Sequence, residues 1–347
     1  GIVFSSNSQD LLDKLNNQFK TEKQYEIATF KTTRIAIGQS VETRKKGIVE
    51  LFIGNRFWDV PNNTEQNFLA DKVSTRFGLN YAITDRFTAG FGYTNFDEIY
   101  DGFLKYQLVK QRVDTKKSPL SISLFQNFTS RNKQIGPVTT FNANENNLSF
   151  VSQVLVAHKF NPRFSLQVSP TFISKQKSVL DEDPSNQFAI GFGARHKIGL
   201  HAAVVSEYYY VANPIQSIDT FNTFLVGINW ELSYIQLQFH MTNAKNFTED
   251  LFITQTRNNF NFKDGSFHFG FNATFVLDFN KNKLFLLYGQ NQGLKNEAIE
   301  NKFKKIYSSN TYLYDELEVL SNEETFFNNI FSKSFFEDKK LIIVNRV

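Results

Sequence analysis

From Gly47 to Phe279, apolar and polar residues alternate with period two in twelve successive stretches. That is the pattern of strands with one apolar face. In the second stretch Val73, Thr75, Phe77, Leu79, Tyr81 and Ile83 share one face, and Lys72, Ser74, Arg76, Gly78 and Asn80 share the other. The third sets Phe87, Ala89, Phe91 and Tyr93 against Thr88, Gly90, Gly92 and Thr94, and the eleventh sets Ile235, Leu237, Phe239 and Met241 against Gln236, Gln238 and His240. The last runs from Phe267 to Phe279, with His268, Gly270, Asn272 and Thr274 on its polar side. Each stretch is about 10–12 residues long, enough for a tilted strand to cross a bilayer; strands of soluble proteins average nearer 5–6.

Alternation alone does not say whether the apolar face is the inside of a soluble barrel or the outside of a membrane barrel. The connections do. Those after even-numbered strands are short, as at Thr84-Asp85, Asn161-Pro162-Arg163 and Ile198-Gly199. Those after odd-numbered strands are mostly long, at residues 59–71, 131–146, 175–187, 212–220 and 243–264, with the turn near Asn95 the exception. Short periplasmic turns alternating with long outer loops are a rule of outer-membrane barrels. Aromatics at strand ends, Phe57-Trp58, Tyr208-Tyr209-Tyr210 and Trp230, fit an interfacial girdle. The expected fold is therefore all-β: a twelve-stranded antiparallel transmembrane β-barrel over 47–279, followed by a partial α/β tail. Its expected place is the outer membrane of a Gram-negative bacterium, with the bilayer and the barrel assembly machinery as partners.

Composition sharpens this picture in three places. Only 41% of the residues are hydrophobic and no apolar run reaches the roughly 18 residues of a spanning helix, yet 39 residues are Phe. So many rings on a polar chain suit one-sided strands. The absence of Cys excludes disulfides, thiolate metal sites and Cys nucleophiles. The net charge of +4 is small and its basic residues are scattered, so nucleic acid is not an expected partner. No cofactor motif is present.

Ahead of the barrel, residues 1–9 read as the remnant of a secretory signal or as a frayed terminus. Residues 10–46 then form a separate segment. Leu11, Leu12, Leu15 and Phe19 follow Asp10 at helical spacing, and the polar, partly β-like run 27–41 follows them. Its Thr and Ser residues, Arg34 and Gln39 suit a plug pairing with lumen groups; a periplasmic linker is the alternative.

Several stretches carry a family resemblance: Asp10-Leu-Leu-Asp-Lys-Leu15, Ala28-Thr-Phe-Lys-Thr-Thr-Arg34, Gly38-Gln-Ser-Val-Glu42, Tyr81-Ala-Ile-Thr-Asp-Arg86, Tyr100-Asp-Gly-Phe-Leu-Lys-Tyr106, Phe160-Asn-Pro-Arg-Phe-Ser-Leu166, Glu207-Tyr-Tyr-Tyr210 and Gly265-Ser-Phe-His-Phe-Gly-Phe271. Residues 10–279 thereby resemble an uncharacterised family of Bacteroidetes outer-membrane β-barrel proteins. The resemblance implies a barrel and a secreted origin, and no activity.

The grammar changes after Phe279. Leu284–Tyr288 is a continuous apolar run, as in a buried parallel strand. A helix with Leu294, Ala298, Phe303 and Ile306 on one side follows, then a strand at Thr311–Tyr314. Next come a helix opened by the capping box Ser321-Asn-Glu-Glu324 and a strand at Leu341–Val344. Leu286-Leu-Tyr-Gly-Gln-Asn-Gln-Gly-Leu-Lys-Asn-Glu297, Phe331-Ser-Lys-Ser-Phe-Phe-Glu337 and Lys340-Leu-Ile-Ile-Val-Asn-Arg346 make residues 280–347 resemble the first domain of the DNA polymerase III delta subunit, a clamp-loader component. That kinship implies a cytoplasmic protein, so the expectation is a reading frame that joins two unrelated genes and is truncated at both ends. A periplasmic α/β appendage is the alternative.

The candidate chemistry is thin. Gly289-x-x-x-Gly293-Leu-Lys295-Asn296 is one residue short of a phosphate loop and lacks its Ser/Thr, so it reads as a strand-to-helix turn. His240 and His268 face the lumen on adjacent strands and His201 is expected inward with Glu207, but none lies two residues from a Ser on a shared face, as a barrel hydrolase requires. No catalytic site is expected. The candidate lumen-lining residues are Glu50, Arg56, Lys72, Arg76, Lys105, Arg195, Lys197, Glu207, Glu231, His240 and His268. Such a mixed, lightly basic lining suits a porin-like channel for small polar solutes, because rings of charge set selectivity. The alternative is a closed barrel with a structural, assembly or binding role through its long loops.

Overall fold

The computed structural model describes residues 25, 26, 28–58, 72–113, 118–131, 147–176, 178, 180, 182–232, 234–260, 267–278, 287, 291–304, 311–321 and 341–345. Twelve strands pair in sequence order: β1 (Ile48–Trp58), β2 (Lys72–Ala82), β3 (Phe87–Thr94), β4 (Ile99–Val109), β5 (Ser121–Arg131), β6 (Asn147–Lys159), β7 (Phe164–Lys175), β8 (Asn186–Lys197), β9 (Ala202–Val211), β10 (Thr223–Glu231), β11 (Ile235–Thr242) and β12 (His268–Asp278). All neighbours are antiparallel, and β12 returns to β1 through a ten-residue register from Ile48↔Asp278 to Phe57↔Phe269. The barrel is closed, so no strand edge is left for lipid to face.

Burial follows the predicted parity. On β2 Ser74, Arg76 and Asn80 are buried, while Val73, Phe77, Leu79 and Tyr81 are exposed. Phe77, Phe91 and Phe239 are each more than half exposed. Apolar rings outside and polar groups inside make sense only if hydrocarbon is the outer solvent. This is an outer-membrane barrel.

The inner face departs from the expected polar lining in one region. Phe103, Phe125, Val151, Leu155 and Ile173 point inward and are fully buried, in the same parity as Lys105, Ser123, Gln153 and Lys175 on their strands. They belong to one apolar cluster with Phe30, Ile35, Ile37 and Val41 from ahead of the barrel and Phe252 and Ile253 from the connection after β11. Inward apolar side chains are stable here because protein, not water, lies against them.

Residues 282–347 form a second unit. Gln292–Ala298 is α2 and continues as a π-helical turn over Ile299–Lys304; β13 (Thr311–Asp315) pairs in parallel with β14 (Leu341–Asn345). Asn291 caps α2 by accepting the Leu294 N–H at 3.1 Å; the strand expected before this helix, apart from residue 287, and residues 288–290 lie outside the described residues. Phe303 is buried, whereas Leu294 is exposed. One correction concerns Ser321. It ends the helix α3 (Glu316–Ser321) and donates to the Glu318 carbonyl at 3.0 Å, because Asp315 already supplies the cap at the other end by accepting the Glu318 N–H at 2.7 Å. The expected helix 10–19, the apolar run 284–288 apart from residue 287, Ile306 and residues 322–324 lie outside the described residues.

Candidate functional site: the filled lumen

Between Thr29 and Glu42 the chain makes a hairpin whose residues are nearly all buried. The Ile35 N–H donates to the Gly38 carbonyl and the Ser40 N–H to the Thr33 carbonyl, each at 2.9 Å, closing a tight turn at Ile35–Gly38. Below the hairpin, the Thr43 hydroxyl and the Lys46 N–H donate to Asp85 in the β2–β3 turn, at 2.9 and 2.8 Å. The hairpin therefore enters from the short-turn end.

A main chain lifted out of any sheet needs partners for its N–H and C=O groups. The barrel wall supplies them from side chains. Glu207 on β9 accepts the N–H groups of Ala36 and Ile37 at 2.8 Å and of Gly38 at 2.9 Å, and the Tyr209 hydroxyl donates to the same carboxylate at 2.8 Å. Lys105 on β4 donates to the carbonyls of Thr33 and Ser40 at 2.7 and 2.9 Å. Gln167 on β7 both donates to the Gln39 carbonyl and accepts the Val41 N–H, each at 2.7 Å. Ser123, Gln238 and Asn272 donate to Val41, Ile35 and Ala36 carbonyls at 2.6, 2.6 and 3.0 Å. Glu50 accepts from the Thr33 hydroxyl and from Arg44 Nε, both at 2.5 Å. Gly38 is required at the tip: a Cβ there would lie 1.7 Å from the Tyr209 Oη and 2.5 Å from Glu207 Oε2.

The other half of the filling comes from the long connection after β11. It turns inward and forms the short helix α1 (Glu249–Thr254), every residue of which is buried. Phe247 and Phe252 on this connection are both buried; Phe247 lies under the Arg56 guanidinium, 4.4 Å from Cζ to ring centroid. Glu249 meets the hairpin: its carboxylate lies 3.4 Å from Arg34 Nη1 and accepts from Gln39 at 3.2 Å and Asn127 at 2.9 Å. Burial pulls the Arg34 guanidinium down and pushes the Glu249 carboxyl up, and each charge partly offsets the other's shift. The two inserted segments thus touch in the middle of the lumen.

Of the candidate lining residues, Glu50, Arg56, Arg76, Lys105, Arg195, Glu207, Glu231, His240 and His268 are buried on the inner face. Lys72, at the first residue of β2, is exposed, and Lys197, at the last of β8, is half-buried, because strand ends rise clear of the filled interior. His201 is not beside Glu207: it sits exposed in the β8–β9 turn with Nδ1 3.0 Å from the Glu231 carbonyl. Two pairs close within the wall. Arg76 binds Asp101 at 3.0 and 2.5 Å, and Arg195 binds Glu231 at 2.8 and 2.6 Å. The Arg76 guanidinium crosses β3 through a socket left by Gly92, whose notional Cβ would lie 2.2 Å from Nη2. Asp101, Arg131, Lys159 and Lys175 are further buried wall charges; strand parity on β4 to β7 was signal enough to find them. Nothing in the local sequence marks Glu249 and Asp250, since a six-residue helix is too short to show a period.

A family model described as a membrane bound beta barrel domain (DUF5777) matches residues 30–277. The chain belongs to this family. The match takes in the hairpin tip and all but one residue of the last strand. No curated protein matches the chain. Among solved structures, the KdgM porin is 8% identical with a TM-score of 0.41, over 65% of this chain and 98% of its own. The NanC porin is 9% identical with a TM-score of 0.39, over 66% and 98%. An outer membrane channel from Pseudomonas putida F1 is 12% identical with a TM-score of 0.39, over 68% and 98%. Likenesses this weak carry no argument about cargo.

Proposed function

We propose that this barrel is a porin-like channel for small polar solutes, held shut at rest by the hairpin 29–42 from the short-turn side and by the α1 connection from the other. What supports the reading is how the lumen is filled. Beyond the Arg76–Asp101 and Arg195–Glu231 pairs, what fills the lumen among the described residues is inserted chain, its main chain gripped by Glu207, Lys105, Gln167, Gln238 and Asn272. Such a segment can leave without any strand unpairing. Withdrawal also exposes Phe30, Ile35 and Ile37, each costing on the order of 1.5–3 kcal/mol, so the closed state dominates. The barrel is read as non-enzymatic. His240 pairs across the sheet with two glycines, Gly227 and Gly270, and offers no serine partner.

A second reading is a permanently closed barrel with a structural or assembly role. The inward cluster of Phe103, Phe125, Leu155 and Ile173 favours it, being packed as a core is packed. Swelling of proteoliposomes in arabinose separates the two. A chain lacking residues 25–44 that inserts and admits arabinose supports the channel; one that inserts and stays tight supports the closed barrel.

We place the barrel's origin in the Bacteroidetes on the sequence stretches given above. For residues 282–347 the reading remains a fragment akin to the clamp-loader delta subunit, joined to the barrel by a reading-frame fusion. The parallel pairing of β13 and β14, with the helix Glu316–Ser321 packed on β13, supports an α/β unit. One uninterrupted DNA read across codons 270–300 from a cultured source would refute an assembly error.

A further inference from the structure

The buried charges of the lumen are unevenly divided. The strands contribute seven buried cations and four buried carboxylates, whereas the two inserted segments contribute Glu42, Glu249 and Asp250 against Arg34 alone. Two wall cations are spent on the Arg76–Asp101 and Arg195–Glu231 pairs. Lys159 pairs with Glu26, ahead of the barrel, at 3.1 Å, and Arg56, Lys105, Arg131 and Lys175 are left with Glu50 and Glu207 as the wall's remaining buried carboxylates. With the inserts withdrawn, the lumen would be cationic.

Asp250 carries the clearest sign of this imbalance. It is fully buried, and among the described residues neither of its carboxylate oxygens has a hydrogen-bond partner. Its nearest cation, Arg131 Nη2, stands off at 3.9 Å, and Arg131 Nε is itself unpartnered. Lys175 lies on the next-but-one strand and donates to Gln187 and Thr254 at 3.0 and 2.6 Å. A carboxylate buried this way is held by the field of two cations and not by fitted bonds. Charge-assisted bonds settle at about 2.7–2.9 Å when the partner is free to place itself. A mobile anion would bind Arg131 better than Asp250 does.

On the channel reading above, we propose that the solutes passed are small carboxylate-bearing anions, and that Glu249 and Asp250 are built-in stand-ins for them, displaced as the solute enters. Carboxylates are favoured over other anions because the side chains standing against Arg131 and Asn127, Asp250 and Glu249, are carboxylates.

The test compares uptake of succinate, a dianion at neutral pH, with arabinose, a neutral solute, by proteoliposomes holding the full chain with Gly38→Ala, which displaces the hairpin without changing charge. Succinate should enter roughly tenfold faster than arabinose, a typical gain from a focused field, and the gap should close at about 1 M salt. Arg131→Gln with Lys175→Gln should abolish the preference. Glu249→Gln with Asp250→Asn should enlarge it, an opposite sign that a folding defect cannot produce. Arabinose entry with no succinate advantage, or both variant pairs shifting the preference the same way, overturns the proposal while the channel stands. If neither solute enters although Ser40→Cys in the same chain labels freely with a maleimide, the channel reading fails and takes this one with it.

Discussion

Replacing Glu207 by Gln should unseat the hairpin while leaving the barrel intact. The carboxylate accepts three main-chain N–H groups and the Tyr209 hydroxyl. An amide keeps one acceptor oxygen and turns an NH2 toward the remaining donors, so at least the Gly38 N–H at 2.9 Å loses its acceptor and the others lose their charge assistance. Hydrogen bonds to charged groups contribute about 1.5–3 kcal/mol each and an orphaned buried donor costs about 1–3. About 3 kcal/mol in all is a conservative figure, or roughly a 150-fold rise in the unseated population. The chain has no cysteine, so Ser40→Cys is a clean reporter: Ser40 is fully buried, and a thiol there reacts with a maleimide only when the hairpin leaves. Labelling in native vesicles should speed up about 100-fold with Glu207→Gln, and the folded, heat-modifiable band should persist. Unchanged labelling would refute the claim that the carboxylate holds the tip. Loss of the folded band would instead make Glu207 a determinant of the barrel.

Three further outcomes are expected. Gly38→Ala puts a Cβ 1.7 Å from the Tyr209 Oη and should accelerate the same labelling; adding Tyr209→Phe should recover part of the loss, which a general defect would not do. Phe77→Lys on the lipid face should lower barrel stability in urea refolding by about 2–4 kcal/mol, against little change for Phe77→Leu. Asp183 ties the β7–β8 connection to the β9–β10 connection. It accepts the Gln216 and Ser217 N–H groups at 3.1 Å, the Leu180 N–H at 3.0 Å and the Ser217 hydroxyl at 2.5 Å. Burial raises its pKa, but these bonds outweigh burial and the net shift is downward. Its contribution is therefore complete above the ordinary Asp range, about pH 4, and lost as pH falls through the depressed value. Proteolysis of these loops should quicken below about pH 4, and Asp183→Asn should make them labile at all pH values.

What the sequence made legible was parity. The alternation of Phe77 and Phe91 with Arg76 and Gly92 placed nine of the candidate lining residues on the buried inner face, because a strand's period is fixed by its backbone. It could not say what fills the space inside. Whether 29–42 was a plug or a linker depended on partners far along the chain, such as Glu207, 171 residues from Ala36, and Asn272, 236 residues from it. The lumen glycines also had a second meaning that only register reveals. Gly92 receives Arg76, Gly193 receives Ile35, and Gly270 receives the His240 ring, each from another strand or from the hairpin. In the sequence they read merely as small, non-apolar positions. Lys72 failed for the opposite reason: its parity was inward, but the first residue of β2, at the strand's end, has no filled lumen beside it.

The most direct test of a lumen stoppered by its own chain is single-channel conductance in planar bilayers, comparing the full chain with one lacking residues 25–44, both first shown to be heat-modifiable. The account predicts a nearly silent full chain and discrete, salt-dependent steps once the hairpin is gone. A full chain that conducts as steadily as the shortened one would contradict it.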